Sequence, residues 1–399
     1  MPDTPGNSNH APLIEAAQRV LSDHLGTPVQ VNNAEQVSEE GRRNLLLRLH
    51  LNDNTPNAPA SVILKKTEGF KAEVTTDWEF KRFLSDWAGS VFLSPLPGAH
   101  APRFFGATLQ HGFVLLEDLG NDHQSLVEPL LDGTAETASQ ALERLMDRLA
   151  GMHADTLGRK TEFQALLYTI HPAAVDTVCG HDALTPADGD ATLTTLADLL
   201  EVKPNPGRLR AEIQAVVEEV RNPGVFSAYV HGDPCPDNIF DNDQGLRLID
   251  FEFGFFGHAL LDMIYPRMMM PTCWCANQVP IELVQSLERR YRRVIGAVCP
   301  EVLDDRVFIP ALVKVCAFSL LNSMQWQLDQ ALQGNGVWGI TTHRGRMLAR
   351  LQTFSTMPGA ADHLPELVGL CARVRAVLQE RWAEDAPSPI YPSLTRYRA

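Results

Sequence analysis

The chain has 399 residues, 44% hydrophobic and 21% charged, proportions of a globular protein that exclude wholesale disorder. Cores stop growing at roughly 250–300 residues, so two lobes are expected. With 34 basic against 49 acidic residues the net charge is −15, which argues against nonspecific nucleic-acid or anionic-membrane partners.

Met1–His10 is polar and no run of about 18 apolar residues stands out, so a soluble, cytoplasmic protein is expected. The seven cysteines are scattered and odd in number, and only Cys273 and Cys275 lie close, as C-x-C. Reduced thiols are the expectation. In chain order, Leu13, Ile14, Ala17, Val20, Leu21 and Leu25 recur at helical spacing and stop at Gly26. Leu45–Leu51 and Ser61–Lys66 read as strands joined by the Asn-, Asp- and Pro-rich connection 52–60. A helical pattern over Glu73–Trp87 and two further strands, Pro102–Phe105 and Phe113–Leu119, complete a small N-terminal lobe with an antiparallel sheet over residues 1–119. Residues 120–399 are mostly helical in pattern, with a helical insertion at about 160–222 and a β-like island at Phe226–Val230, Ile239–Phe240 and Leu246–Ile249.

That island brackets the polar segment His231-Gly232-Asp233-Pro234-Cys235-Pro236-Asp237-Asn238, followed by Ile249-Asp250-Phe251-Glu252. Phosphoryl transfer to a hydroxyl uses an Asp that orients and deprotonates the acceptor, an Asn five residues later, and an Asp after the next strand, the last two holding Mg²⁺. Asp233, Asn238 and Asp250 keep that order and spacing. Magnesium favours a few hard oxygen donors, which an amide and a carboxylate supply. Asp, Asn, Pro and Gly also make ordinary turns, but a turn does not account for the second acid at 250.

The segment resembles the aminoglycoside phosphotransferase and choline kinase superfamily, marked by H-G-D-x-x-x-x-N and then I-D-F/W-E/D. The resemblance implies an α+β, bilobal protein-kinase-like fold, with a nucleotide-binding lobe and a larger α-rich catalytic and substrate lobe. It implies ATP and Mg²⁺ as cofactors, a small-molecule hydroxyl as acceptor, Asp233 as catalytic residue, and Asn238 and Asp250 as metal ligands. His231 and Gly232 would support the loop. Val62-Ile63-Leu64-Lys65 is similar to the strand whose lysine pairs with the ATP phosphates, and Glu79 stands in the place of the glutamate that braces it. Strand alternation separates Lys65 from Lys66. Leu115–Gly120 is similar to the hinge, with backbone groups around Glu117 and Leu119 on adenine. Leu149–His153 would pack behind the site, and Asp262 resembles a structural Asp of the family.

The phosphate-covering loop departs from the pattern, because Ser38–Asn44 holds one glycine, Gly41. Ser38, Gly41 and Asn44 remain as donors, and Arg42 or Arg43 could reach a phosphate. Neither a Walker-type motif nor an A-P-E element follows, which sets aside P-loop and protein kinases.

On the acceptor side, acidity is concentrated in residues 121–260, where Asp182, Asp188, Asp190, Glu218 and Glu219 could rim a pocket for a polycation. Trp274, Trp326, Trp338 and Trp382 could enclose a quaternary ammonium or a sugar, or simply fill core. Arg289, Arg290, Arg292 and Arg293 read as a solvated helix face or an anion site. Two rival functions stay open: a catalytically weak or inactive nucleotide-binding protein, and a metal-dependent hydrolase using His231, Asp233, Asp237 and Asp250.

Overall fold

The first amphipathic stretch is a helix, α1 (Ala11–Leu25), with Ala17 and Leu21 buried one turn apart. It stops where Gly26 takes φ +65°, a left-handed conformation that glycine adopts without a Cβ clash. The structure, a computed structural model, describes residues 10–39, 41–52, 58–175, 185–200 and 205–397, and only the backbone of residues 186, 190 and 193.

Five strands, β1 (Val31–Gln36), β2 (Asn44–Leu51), β3 (Ser61–Thr67), β4 (Phe104–Thr108) and β5 (Phe113–Glu117), form one antiparallel sheet in the order β1-β2-β3-β5-β4. The helix α2 (Trp78–Leu93) intervenes between β3 and β4 in the chain. β1, the edge strand, reads VNNAEQ and has no fully buried position, so hydrophobic alternation does not announce it. In β3, Val62 and Leu64 pack with Leu47, Leu49, Phe113, Leu115 and the buried face of α1. Lys65 has the opposite parity and therefore leaves the opposite face of the sheet. Pairing with Leu46 and Val114 on either side fixes its register.

Contacts gather the chain into two units, one of Met1–His123, Glu162–Cys179 and Arg247–Gly254, the other of Gln124–Thr161, Gly180–Leu246 and Phe255–Ala399. The first adds to its sheet the segment Arg247–Gly254, and Phe163 packs edge-on against Phe92 of α2, ring centroids 5.2 Å apart. The second is helical. It contains α3 (Val127–Leu131) and α4 (Ala135–Thr156), the latter opened by a Thr134 and Thr137 capping box. The helix α5 (Lys160–Ile170) straddles the boundary of the two units. Beyond α5, two more helices of the expected insertion, Pro186–Asp198 and Pro206–Arg221, are described, while Asp182 lies outside the described residues. Further on come Ile281–Gly296, Asp305–Gln333, His343–Ser355 and Pro365–Arg381. Asp305–Gln333 is long and apolar enough to cross a membrane, but 67% of its most apolar stretch is buried inside the molecule, as in a core helix.

The β island consists of β6 (Ser227–Val230), β7 (Ile239–Asn242), β8 (Gly245–Leu248) and β9 (Phe255–His258). β6 and β9 pair antiparallel, Ser227 opposite His258 and Val230 opposite Phe255. Residues 231–238 therefore leave the end of a buried two-stranded ladder.

Candidate active site

In the first unit Lys65 is 8% exposed, and its Nζ lies 2.6 Å from Asp250 Oδ1 and 2.8 Å from Asp86 Oδ2. Burial alone would strip its charge. Asp250, Asp86 and Glu252 outweigh burial and hold the ammonium well above the usual lysine range. Asp86 also accepts the Phe251 N–H at 3.0 Å, so one carboxylate ties β3 to the segment after β8. The brace expected at Glu79 falls instead to Asp86: Glu79 pairs with Arg82 at 2.8 Å. The two acids are seven residues apart in α2 and share a face, and the depth of the helix against the sheet decides between them.

Arg82 also grips Glu252. Burial and then the neighbouring Asp250 push the Glu252 carboxyl up to about 6, against the pull of Lys65 and Arg82. This cluster is richer in carboxylate than in cation, and its donors are hard oxygens, which fits a magnesium ion. Asp250 itself has φ +67°, an uncommon conformation for a residue other than glycine, and the hydrogen-bonded neighbours Phe251 and Lys65 hold it there.

An open cavity of about 650 Å³ lies beside this cluster, lined by Ser38, Gly41, Arg42, Arg43 and Asn44 on the loop and by Arg82, Asp250 and Glu252. Asn44 Oδ1 is buried there without a hydrogen-bond partner. Ser38 Oγ accepts the Leu46 N–H at 3.1 Å and so shapes the loop. Gly41 has φ +80° and an open Cβ position. Arg42 pairs with Glu39 at 2.8 Å, while Arg43 lies 3.9 Å from Glu252. At the other end of the sheet, Glu117 exchanges backbone and side-chain hydrogen bonds with Arg103 (2.8 and 3.0 Å), and Leu119 is half-buried just beyond β5. Asp118, within the hinge-like stretch Leu115–Gly120, accepts from Arg48 Nε (2.7 Å), Ser61 Oγ (2.6 Å) and the Gly120 N–H (3.0 Å). Burial would raise its carboxyl, but these bonds hold it below the usual range.

In the second unit the loop after β6 is built on Asp262, which is fully buried and accepts the His231 N–H at 2.7 Å and the Gly232 N–H at 3.0 Å. His153 Nε2 lies 3.1 Å from Asp262, and its Nδ1 lies 2.8 Å from the Tyr291 hydroxyl. The His231 ring accepts the Asp233 N–H at 3.3 Å, a scaffold role. Gly232 bends at φ +79° to present Asp233. Asn238 Nδ2 donates to Asp233, at 2.9 Å to its carbonyl and 3.3 Å to Oδ2. With that nitrogen committed, the amide oxygen of Asn238 is its donor for a cation. The five-residue spacing thus closes a local clamp.

Two features of this loop depart from expectation. Cys235 and Cys273, read as reduced thiols, are joined in a disulfide with Cα atoms 5.5 Å apart. A pair 38 residues apart is invisible to spacing, because the fold alone brings the two segments together. The hydroxyl of Thr272, a residue that sequence did not single out, donates to Asp233 Oδ1. Asp233, Cys235 and Cys273 bring three potential metal-binding side chains together, but sulfurs bonded to each other are not thiolate ligands. His231 and Asp237 join no such group, and Asp237 accepts the Trp274 indole N–H at 2.8 Å.

Five of the acidic and basic candidates for acceptor binding are occupied in structural roles. Asp188 caps a helix through Thr185, Glu218 holds Asn222 at 2.6 Å, and Glu219 pairs with Lys314 at 2.7 Å. Arg290 grips Asp147 and Glu143 of α4, and Arg292 bonds the Val302 and Leu303 carbonyls. Trp382 is core, and Trp326 and Trp338 meet edge-on at 5.1 Å.

A family model described as "Phosphotransferase enzyme family" matches residues 79–296. No curated protein matches the chain in sequence. Among solved structures the chain is similar to a choline kinase from Cryptosporidium parvum (9% identity, 91% of this chain and 99% of that one, TM-score 0.49). It is similar too to a Plasmodium vivax ethanolamine kinase (14%, 84% and 85%, 0.49) and to a choline/ethanolamine kinase family protein from Mesorhizobium loti (13%, 85% and 93%, 0.45).

Proposed function

Because the chain belongs to the phosphotransferase enzyme family, we propose that it transfers the γ-phosphoryl group of ATP to the hydroxyl of a small molecule in a magnesium-dependent reaction. The observation that carries this reading is the contact of buried Lys65 with Asp250, which comes from a segment 185 residues away. Residues 1–119 serve as the nucleotide lobe and 120–399 as the catalytic and substrate lobe. Lys65 pairs with the phosphates, Asp86 holds it in place, and Ser38, Gly41 and Asn44 contribute loop donors. Glu79 acts indirectly, through Arg82. Backbone groups around Glu117 and Leu119 meet adenine. Asp233 orients the acceptor hydroxyl and takes its proton as the new O–P bond forms and ADP leaves. Magnesium, held by Asn238 and Asp250, would neutralise charge on the phosphates. The acceptor is a soluble alcohol, sugar or aminoglycoside in the cytoplasm.

The single glycine of the Ser38–Asn44 loop favours a second reading, a weakly active or inactive nucleotide binder. ADP release from Mg·ATP, screened over aminoglycosides, choline-like alcohols and sugars, separates the two. Turnover with at least one acceptor is expected, reduced a hundredfold or more, on the order of a lost general base, in Asp233→Ala. ATP binding without turnover across the panel supports the second reading. Wild-type turnover by Asp250→Ala overturns the first.

A further inference from the structure

The segment 268–275 is held far more firmly than a surface connection requires. Arg350, 1% exposed, donates to the Met268 carbonyl (3.3 Å) and the Pro271 carbonyl (3.0 Å), and Arg346, fully buried, donates to those of Cys273 (2.8 Å) and Trp274 (3.1 Å). Neither guanidinium meets a carboxylate among the described residues; the further partners are Gln327 Oε1 for Arg350, and the Trp338 carbonyl and the Trp338 ring, 4.0 Å away, for Arg346. Burial depresses both, Arg346 to about 10 and Arg350 to about 9. Two buried cations whose hydrogen bonds all go to carbonyls, with Arg346 Nε left without one, are a costly way to fix a chain path. Met269 and Met270 take φ +61° and +41°, a left-handed strain that survives only where the surroundings over-determine it. The disulfide to Cys235 ties the same segment to the loop that carries Asp233.

All of this converges on one exposed side chain. Thr272 lies between the anchored carbonyls of 271 and 273, and its hydroxyl donates to Asp233 Oδ1. The Tyr265 hydroxyl lies 3.1 Å from it and donates to the Gly232 carbonyl at 2.8 Å, linking Thr272 to the backbone just before Asp233. Asn238 holds Oδ2 from the other side. Bonds at both oxygens set the plane of the carboxylate, and the Cys235 sulfur lies 2.9 Å from Oδ1.

We infer that Thr272 is a positioning residue for phosphoryl transfer, holding the Asp233 carboxylate in the plane from which it receives the acceptor hydroxyl. The inference rests on the proposed role of Asp233. Misplacing a reacting group by about 1 Å costs up to about a hundredfold in rate, so losing the hydroxyl lowers kcat by about ten- to a hundredfold. Nucleotide binding, which does not involve Thr272, is unchanged.

The test compares Thr272→Val, Thr272→Ser and Asp233→Ala in ADP release from Mg·ATP, offering choline, ethanolamine and kanamycin with water as background acceptor. Thr272→Val is isosteric at an exposed position and should fold as wild type, checked by its Tm. The expected result is a kcat lowered at least tenfold in Thr272→Val, a KM for ATP within twofold of wild type, and recovery to within about threefold in Thr272→Ser. Wild-type or raised kcat in Thr272→Val overturns the inference, as does a Thr272→Ser variant no better than Thr272→Val. If Asp233→Ala turns over as wild type, the kinase reading itself fails; if Asp233→Ala is dead while Thr272→Val is unaffected, only the role of Thr272 fails.

Discussion

Lys65 shows how much a single position depends on its partners. A buried ammonium is stable only where carboxylates offset its desolvation, and Asp86 and Asp250 do so at 2.8 and 2.6 Å. Asp86→Asn keeps the acceptor for the Phe251 N–H but removes one of the two charges on Lys65. Losing a charge-assisted bond of about 1.5–3 kcal/mol should raise the KM for ATP by about tenfold or more. Glu79→Gln, one step removed through Arg82, should change KM by less than about threefold. Steady-state kinetics of the two variants decide which acid braces the lysine, and equal effects would return that role to Glu79. Sequence singled out Glu79 alone, and only Asp86, seven residues further along the same helix, reaches the lysine.

At the scale of elements, Glu219 joins three of them. From the helix Pro206–Arg221 it meets Lys314 of Asp305–Gln333 at 2.7 Å and His258 of β9 at 3.4 Å. Burial would raise its carboxyl, but hydrogen bonds from His258 and Lys314 outweigh that and hold it down to about 2, against an ordinary 4.5. A depressed carboxyl contributes stability that is complete above its unfolded value and is lost as pH falls from about 4.5 towards 2. His258, which burial holds below its ordinary 6.5, acts in the same direction, because the unfolded chain takes up its proton first as pH falls. Glu219→Gln should therefore cost about 1–3 kcal/mol at neutral pH and lose less stability than wild type between pH 4.5 and 2. Urea unfolding at several pH values reads both, and parallel pH profiles would remove Glu219 from this role. Sequence offered Glu219 as a pocket acid because its partners come from β9 and a helix about 95 residues away.

At the scale of the whole molecule, a ligand that binds only the folded state stabilises it by mass action. At a hundred times its Kd, Mg·ATP should add about 2.7 kcal/mol, seen as a rise in Tm that EDTA abolishes and Asp250→Ala blunts. A rise that persists in EDTA would place the nucleotide grip on Lys65 and the loop donors alone. The sequence by itself determined a small sheet-bearing lobe followed by a larger helical one, the strand that carries Lys65, and the placing of Asp233 and Asn238 five residues apart in one loop after a strand. These depend on alternation, helical period and a five-residue spacing, all expressed within one element or one turn. Only the tertiary structure decided that Asp86 rather than Glu79 meets Lys65, that Cys235 joins Cys273, and that Thr272 reaches Asp233. Periodicity says which face a side chain occupies, while the partner across that face depends on the depth of an element and the path of segments far away in the chain.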